Sequence, residues 1–325
     1  MTFEKTGGWV SGLLASVCLV LAVATPEARA AFPGKTINLA VWSGAGGALD
    51  IYGRKLAEML TKEMGWTTKV ENRPGGSGSV GMSYMMTQPA DGHTWLIFTA
   101  TLSTGIVREL IPFKTSDIRF VRAMTAEPTS LAVRKDSPLK STADFVNYMK
   151  AHPKGLKTGG HSSGGFHQYM LFQLMEKGGF EAGWVPHDSS AKIPLNIMGG
   201  HIDASMMTPS SGLSQVQSGD IRLLGVSLPE RSKFLPDVPT FKEQGFDLVD
   251  MIWRGVALKA GTPEPIVAEI QKALDKVEAS AEWQAYMKDE FQENPGYRDD
   301  AFRQKVEKEI VEQRAYLEKA GFLKK

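Results

Sequence analysis

The stretch Ile37–Leu60, INLAVWSGAGGALDIYGRKLAEML, decides how the rest of the chain reads. Ile37, Leu39 and Val41 alternate with Asn38 and Ala40, the two-residue period of a strand. Gly44-Ala45-Gly46-Gly47 then makes a bend. After it, Leu49, Tyr52, Leu56, Met59 and Leu60 recur at helical spacing, with Arg54, Lys55, Glu58 and Lys62 on the opposite face. A strand, a glycine bend and a helix start bring free N–H groups and the positive end of the helix dipole close to any anion held there. Asp50 in the first turn complements that dipole and disfavours a highly charged phosphate. The stretch reads equally as a plain structural βα turn.

Downstream, the same alternation of strand and helix repeats. Thr67 to Glu71 reads as a strand and Asn72-Arg73-Pro74-Gly75-Gly76 as a turn. Gly76-Ser77-Gly78-Ser79-Val80-Gly81 matches the spacing of a dinucleotide fingerprint. Its context does not fit, because Arg73-Pro74 separates it from the strand and no acid closes the next one. Ser77 or Ser79 is the expected cap of a helix from Val80 to Thr87. Thr94 to Thr99 is nearly all apolar, as a strand buried on both faces is. It leads into Ala100-Thr101-Leu102-Ser103-Thr104, where Thr101, Ser103 and Thr104 offer uncharged donors at the sheet edge that collects ligands, or merely start a helix.

Phe120 to Arg134 is a long extended segment that leaves the first α/β unit for a second, and Met251 to Leu258 reads as the return. The second unit repeats the pattern: a strand at Leu156–Thr158, a glycine loop Gly159–Gly165, a helix from Phe166 to Met175, and further loops at Val185–Ser190 and Thr208–Ser211. Such repetition implies a mostly parallel sheet in each half, flanked by helices. Two helices at the C-terminal end, one carrying Ile266, Val267, Ile270, Leu274 and Val277 and the other Phe302, Val306, Ile310 and Leu317, are expected to pack back on the first unit. The Lys305–Glu309 pair on the second of these reads as surface decoration.

Residues 1–30 read as a signal peptide: Lys5, an apolar run from Val10 to Ala24, and Ala28-Arg29-Ala30 as the cleavage site. The run is about 15 residues, short of the roughly 20 that a membrane span needs. The only cysteine, Cys18, falls inside it, so neither disulfides nor thiol chemistry serve the mature chain. Cleavage after Ala30 removes Glu4, Lys5, Glu27 and Arg29, two charges of each sign, and leaves the net charge at +1. That near-neutrality, with no basic run, argues against nucleic acid as a partner. Residues 31–325 exceed one typical core, so two domains are expected.

Two sequence patterns bear on catalysis and metal binding. Gly160-His161-Ser162-Ser163-Gly164 fits the G-x-S-x-G elbow of a serine hydrolase, and Asp188 and His201 follow in the required order. Both lie too soon after Ser162, and the upstream oxyanion loop would belong to the other half. The histidines, His93, His152, His161, His167, His187 and His201, form no metal-binding spacing, so neither a metal nor a cofactor is expected.

With these pieces placed, the chain resembles the solute-binding proteins of tripartite tricarboxylate transporters, the TctC-like or Bug family. The resemblance runs through Phe32-Pro33-Gly34-Lys35-Thr36-Ile37, Gly46-Gly47-Ala48-Leu49-Asp50, Val70-Glu71-Asn72-Arg73-Pro74-Gly75-Gly76, Pro89–Thr94, Gly199–Asp203, Leu235–Thr240 and Lys259–Pro263. It implies an α/β, two-lobed periplasmic binding protein of type II, a "Venus flytrap", and a receptor rather than an enzyme. The lobes would be 31–126 with 254–325, and 127–253, hinged near Glu127 and Trp253. A small carboxylate would lie in the cleft. The resemblance implies backbone N–H groups and waters of the first lobe around it, at Ser43, Gly44, Ala45, Gly46, Gly47, Thr101, Ser103 and Thr104. The second lobe would add Ser162, Ser163, Gly164, His167, Asp188, Ser189, Thr208 and Ser210.

Departures from the family pattern bear on the ligand. Trp42-Ser43-Gly44-Ala45 stands where Pro-aromatic-Pro-Pro is usual, and His187-Asp188-Ser189 where Tyr-Lys-Gly is usual. Asp188 then faces either solvent or the cleft, and Trp253 either lines the cleft or packs the hinge. The implied partners are the carboxylate and the membrane subunits of such a transporter, served by a monomer in the periplasm. An exported hydrolase, or a sensor presenting its ligand to a signalling partner, are the alternatives.

Overall fold

Buried apolar strands fix the architecture. A computed structural model describes residues 1–3, 32–319 and 323; the proposed leader and its cleavage site lie outside them, apart from residues 1–3. From Phe32 onward the chain forms one compact unit. It begins with β1 (Ile37–Val41), α1 (Ala48–Met64), β2 (Thr68–Asn72), α2 (Ser79–Thr87), β3 (Thr94–Thr99), α3 (Ala100–Val107) and β4 (Ile118–Pro128). After a single residue, Thr129, come β5 (Ser130–Arg134), α4 (Thr142–Ala151), β6 (Thr158–His161), α5 (Phe166–Gly178), β7 (Val185–His187), α6 (Lys192–Met198), β8 (Ala204–Met207), α7 (Leu213–Gln217) and β9 (Ile221–Val226). The chain ends in β10 (Met251–Lys259), α8 (Glu264–Ala279), α9 (Ala281–Asp289) and α10 (Asp299–Lys319).

The strands make two sheets with one plan. The first has the order β2-β1-β3-β10-β4 and the second β7-β6-β8-β5-β9. Each is mostly parallel with one reversed strand: β10 runs antiparallel to β3 and β4, and β5 antiparallel to β8 and β9. The reversed strand is in each case the one that arrives from the other sheet, so its direction follows from the crossing. Each sheet is flanked by helices, which is the two-lobed α/β architecture of periplasmic binding proteins.

Ser227, fully buried, ties the two crossings together. It exchanges backbone bonds with Thr129 and Asp250, and its hydroxyl donates to Asp250 O at 2.5 Å while accepting Thr129 N–H at 2.8 Å. Local signals behave as the residues dictate. Gly65 closes α1 at φ 68°, and Ser141 and Asp144 form a reciprocal capping box on α4.

The C-terminal helices do pack on the first sheet: α8 against α1 and β4, α10 against α3 and β4. Phe302 of α10 sits edge-on to Trp253 and Phe120, and Phe98 stacks on Trp253. Glu309 is not surface decoration. It is buried under this cluster, accepting the Trp253 indole N–H at 2.8 Å and Lys305 Nζ at 2.9 Å. Its sequence neighbours are mostly charged, but the Trp253 indole of β10 reaches this side of α10.

Burial, with nearby Asp250 adding to it, raises the Glu309 carboxyl to about 7 against the pull of Lys305. The folded chain therefore holds this proton to about pH 7, whereas an unfolded glutamate releases it near 4.5. Stability from this group is complete below pH 4.5 and is lost as pH rises through 7. Glu309→Gln, which keeps the indole's acceptor, should raise the melting temperature at pH 8 relative to pH 5 by roughly 2–4 °C per kcal/mol recovered. Equal shifts at both pH values in thermal melts would refute the buried-proton account.

Candidate functional site

The carboxyl ends of the parallel strands of both sheets meet, and here the two lobes are laced together. Gly44 N–H donates to Asp188 O at 3.3 Å, Ala48 N–H to Ser190 Oγ at 2.9 Å, and Ser77 Oγ to Ser163 O at 2.6 Å. Phe166 N–H, at the start of α5, donates to Thr101 Oγ1 at 3.4 Å. Gly47 is one point where the lobes come close. A Cβ on it would stand 2.8 Å from both Ser189 Oγ and Ser190 Oγ, so only glycine permits this approach.

Between the lobes lies a cavity of about 20 Å³, room for about one water molecule. The first sheet and its loops contribute Trp42, Ala48, Leu49, Thr99, Thr101, Ile252 and Arg254 to its wall. The second contributes His161, His167, Ser190, Thr208 and Ser211. On its outer side is a wider pocket of about 280 Å³, bounded by Gly75–Gly78, Ser162, Ser163 and Pro186–Asp188. Trp42 and His161 border both spaces and stack across the lobes, ring centroids 5.1 Å apart and planes 18° apart. This stack is the partition between them.

Arg254 is the one cation on the inner wall. It is 3 % exposed and ion-paired to Glu127, which is wholly buried near the end of β4. Glu127 also takes Ser210 Oγ at 2.7 Å and Ser210 N–H at 3.3 Å from the second lobe. Burial alone would ease the guanidinium toward neutrality, but the Glu127 charge outweighs it and holds Arg254 above its ordinary range. The two histidines go the other way. Burial lowers His161 to about 4, partly offset by Asp188, and burial with the charge of Arg254 lowers His167 to about 3. Both rings are neutral at pH 7, so they serve as dipolar donors or acceptors and Arg254 supplies the charge.

Of the residues singled out from sequence, Thr101, His167 and Thr208 reach the inner cavity, and Ser162, Ser163 and Asp188 border the outer pocket. Ser189 is spent at the lobe contact, bonded to Gly44 O at 3.4 Å, and Ser210 on Glu127. Ala45 and Gly46 are exposed. Gly46, read as an anion donor, gives its N–H to Asp50 at 2.9 Å. Asp50 also receives Arg54 and Asn72; these bonds outweigh its burial and hold its carboxyl below the usual range. Ser43 is buried, and its carbonyl accepts from Asn72.

Ser103 and Thr104 point into the packing of α3 because the helix starts directly after β3, with Thr99 as its cap; no loop intervenes. Thr104 Oγ1 donates to Ala100 O inside that helix. The first turn of α2 is capped by Gly78, not by a serine, and Ser77 reaches the other lobe instead. Gly164, at φ 72°, is packed under Arg108. Trp253 is turned away from the cavity into the aromatic cluster, since strand alternation sends Ile252 and Arg254 to the opposite face. Asp188 is mostly exposed and paired to Lys192, whose bond holds its carboxyl below the usual range.

The hydrolase constellation is not assembled. Ser162 Oγ turns to Ser163 O at 3.4 Å, Asp188 is held by Lys192, and His201 is exposed beyond α6. Among the described residues no group of three His, Cys, Asp or Glu is placed to hold a metal, and no helix is long and apolar enough to cross a membrane. Sequence reasoning missed Trp42, Thr99, Glu127 and Arg254 as cavity and support residues. A signal for the last two was present. Each is a charge within a run of buried strand residues, and such charges need partners.

Comparison with known proteins follows the same outline. Residues 52–321 match the model of the TctC family, described as "Tripartite tricarboxylate transporter family receptor". A Cupriavidus necator protein, "UPF0065 protein in gbd 5'region", is 28% identical over 319 residues, covering 95% of each chain. Protein BugT of Bordetella pertussis is 26% identical over 273 residues, covering 81% of this chain and 83% of that one. Among solved structures, an R. palustris protein with adipate is 26% identical, with a TM-score of 0.83 over 89% of this chain and 98% of that one.

Two outcomes test the geometry. Gly47→Val should lower affinity for any ligand that the closed lobes hold, with little change in melting temperature, because the added carbons meet the second lobe only on closure. Titration calorimetry beside thermal melts decides it, and unchanged affinity would mean the lobes need not come this close. For the histidines, stability is complete above pH 6.5 and is lost as pH falls from 6.5 toward their folded values. His167→Gln should therefore flatten the loss between pH 6.5 and 5 by about 2 kcal/mol in urea melts. An acid limb identical to that of the wild type would show that His167 is not buried as a neutral ring.

Proposed function

We propose that this chain, which belongs to the TctC family of tripartite tricarboxylate transporter receptors, binds a small organic carboxylate between its lobes and delivers it to the membrane subunits of such a transporter. One observation carries the reading. The cavity sits at the carboxyl ends of the parallel strands, where open α/β sheets hold their ligands, and hydroxyls from both lobes line it around a single buried cation. Such a lining favours an anion of low charge over a neutral sugar or a cation. The family's setting is the periplasm, and residues 1–30 have the pattern of the export signal that would bring the chain there as a monomer.

Mechanically, the chain acts as a clamp. A cavity of about 20 Å³ admits no organic acid while the lobes are laced, so the solute enters and leaves by rotation about Thr129 and Asp250. Closing on the solute removes water, which strengthens each hydrogen bond to the carboxylate. The related R. palustris protein with adipate makes linear dicarboxylates the first acids to try.

The test is a thermal-shift and calorimetric screen of residues 31–325 against adipate, succinate, citrate and benzoate, each beside its amide. A ligand at 100 times its dissociation constant stabilises the fold by about 2.7 kcal/mol, so a shift with an acid and none with its amide is the expected result. Equal shifts with acid and amide, or binding of none of the acids by protein stripped of co-purified solute, would overturn the carboxylate reading.

A further inference from the structure

We propose that Arg254 is the residue that grips the solute's carboxylate, in place of the first-lobe glycine loop, and so selects for a solute with one negative charge at its inner end. The inference deepens the carboxylate reading and rests on it. Three observations converge.

First, three N–H groups of the glycine loop are already committed. The N–H groups of Gly44, Gly46 and Ala48 are already donated to Asp188, Asp50 and Ser190. A carboxylate anchored on these three donors would have to displace bonds that hold the loop and the lobes.

Second, unmet polar atoms gather at the inner cavity. Among the described residues, Arg254 Nη1, His167 Nε2 and Thr99 Oγ1 are each buried without a hydrogen-bond partner, and all three residues line this one space. A buried guanidinium N–H or imidazole nitrogen left unpaired is costly, and an anion with two acceptor oxygens meets several such atoms at once. Guanidinium suits a carboxylate, presenting planar donors that do not lose their proton.

Third, Glu127 leaves Arg254 available. Its carboxylate is shared between the Arg254 Nη2 group and two donors from Ser210, while Nη1 is unused. Glu127 thus holds the guanidinium in place and Ser210 links that pair to the second lobe. A ligand on Nη1 would complete a line of contacts running from one lobe to the other. With His161 and His167 both neutral, a second carboxylate at the same inner end would find no further cation.

Arg254→Met alone strands the buried Glu127, so the test uses the double variant Arg254→Met with Glu127→Gln, which keeps Ser210's acceptor. Glu127→Gln alone keeps the cation and removes its competitor. Circular dichroism and melts confirm folding, and calorimetry measures the best acid from the screen, with adipate and hexanoate as probes of the second charge. The double variant should bind the acid roughly 10- to 100-fold more weakly, the range of one charge-assisted bond. Glu127→Gln should bind it at least as tightly as the wild type.

Equal losses in both variants would assign the pair a merely structural role and overturn the anchor. So would a folded double variant with wild-type affinity, although the wild type's binding would leave the carboxylate reading standing. Binding of no acid by the wild type defeats that reading, and the anchor with it.

Discussion

A buried charge must be answered by another, and at the meeting of the two lobes that rule governs the structure. Arg254 on the returning strand and Glu127 on the outgoing one are both removed from water, side by side, just where the chain passes between the sheets. Taking both charges out of water costs several kcal/mol per ion, and removal of one partner alone typically costs about 3–5 kcal/mol. The pair is tolerable only because Ser210 adds two hydrogen bonds from the second lobe. Hinge, lobe contact and cavity wall therefore share a single ionic cluster.

The crossings around that cluster explain the symmetry of the fold. Each lobe receives one reversed strand from the other, β5 from the first and β10 from the second, and so neither sheet is complete without the crossing. Ser227 pins the two passages together by backbone and hydroxyl bonds. Around them the wall is aromatic on one side, where Trp253, Phe98, Phe120 and Phe302 pack, and polar on the other, where Arg254 faces the cavity. A strand's two-residue period lets adjacent residues serve these opposite purposes.

The lobe contact itself is made of small residues and backbone. Gly44, Gly47, Ser189 and Ser190 approach with no bulk between them, and the Trp42–His161 stack borders both the inner space and the outer pocket. Such a surface has many modest hydrogen bonds and little apolar area. Burial keeps the histidines neutral in the joined form, so the electrostatics of the cavity are set by Arg254 against Glu127.

By itself the sequence determined whatever depends on near neighbours: the strand–glycine–helix units, the buried Thr94–Thr99 strand, the capping box at Ser141, the long crossing from Phe120 to Arg134, and the family through its ordered short motifs. Most of the cavity wall was beyond that reach. Gly46 looked like a free donor because Asp50's carboxylate folds back only once Asn72 and Arg54 hold it. Ser103 and Thr104 read either as ligand donors or as part of a helix start, and the helix start is what forms, with α3 following β3 directly. Arg254 and Glu127 signalled a need for partners but not for each other, since they are 127 residues apart and pair only when β10 joins β4. Local propensity and periodicity are written in residues a few positions apart. Which donors are spent and which charge faces the cavity depends on contacts between distant segments, and only the packing of the two sheets decides those.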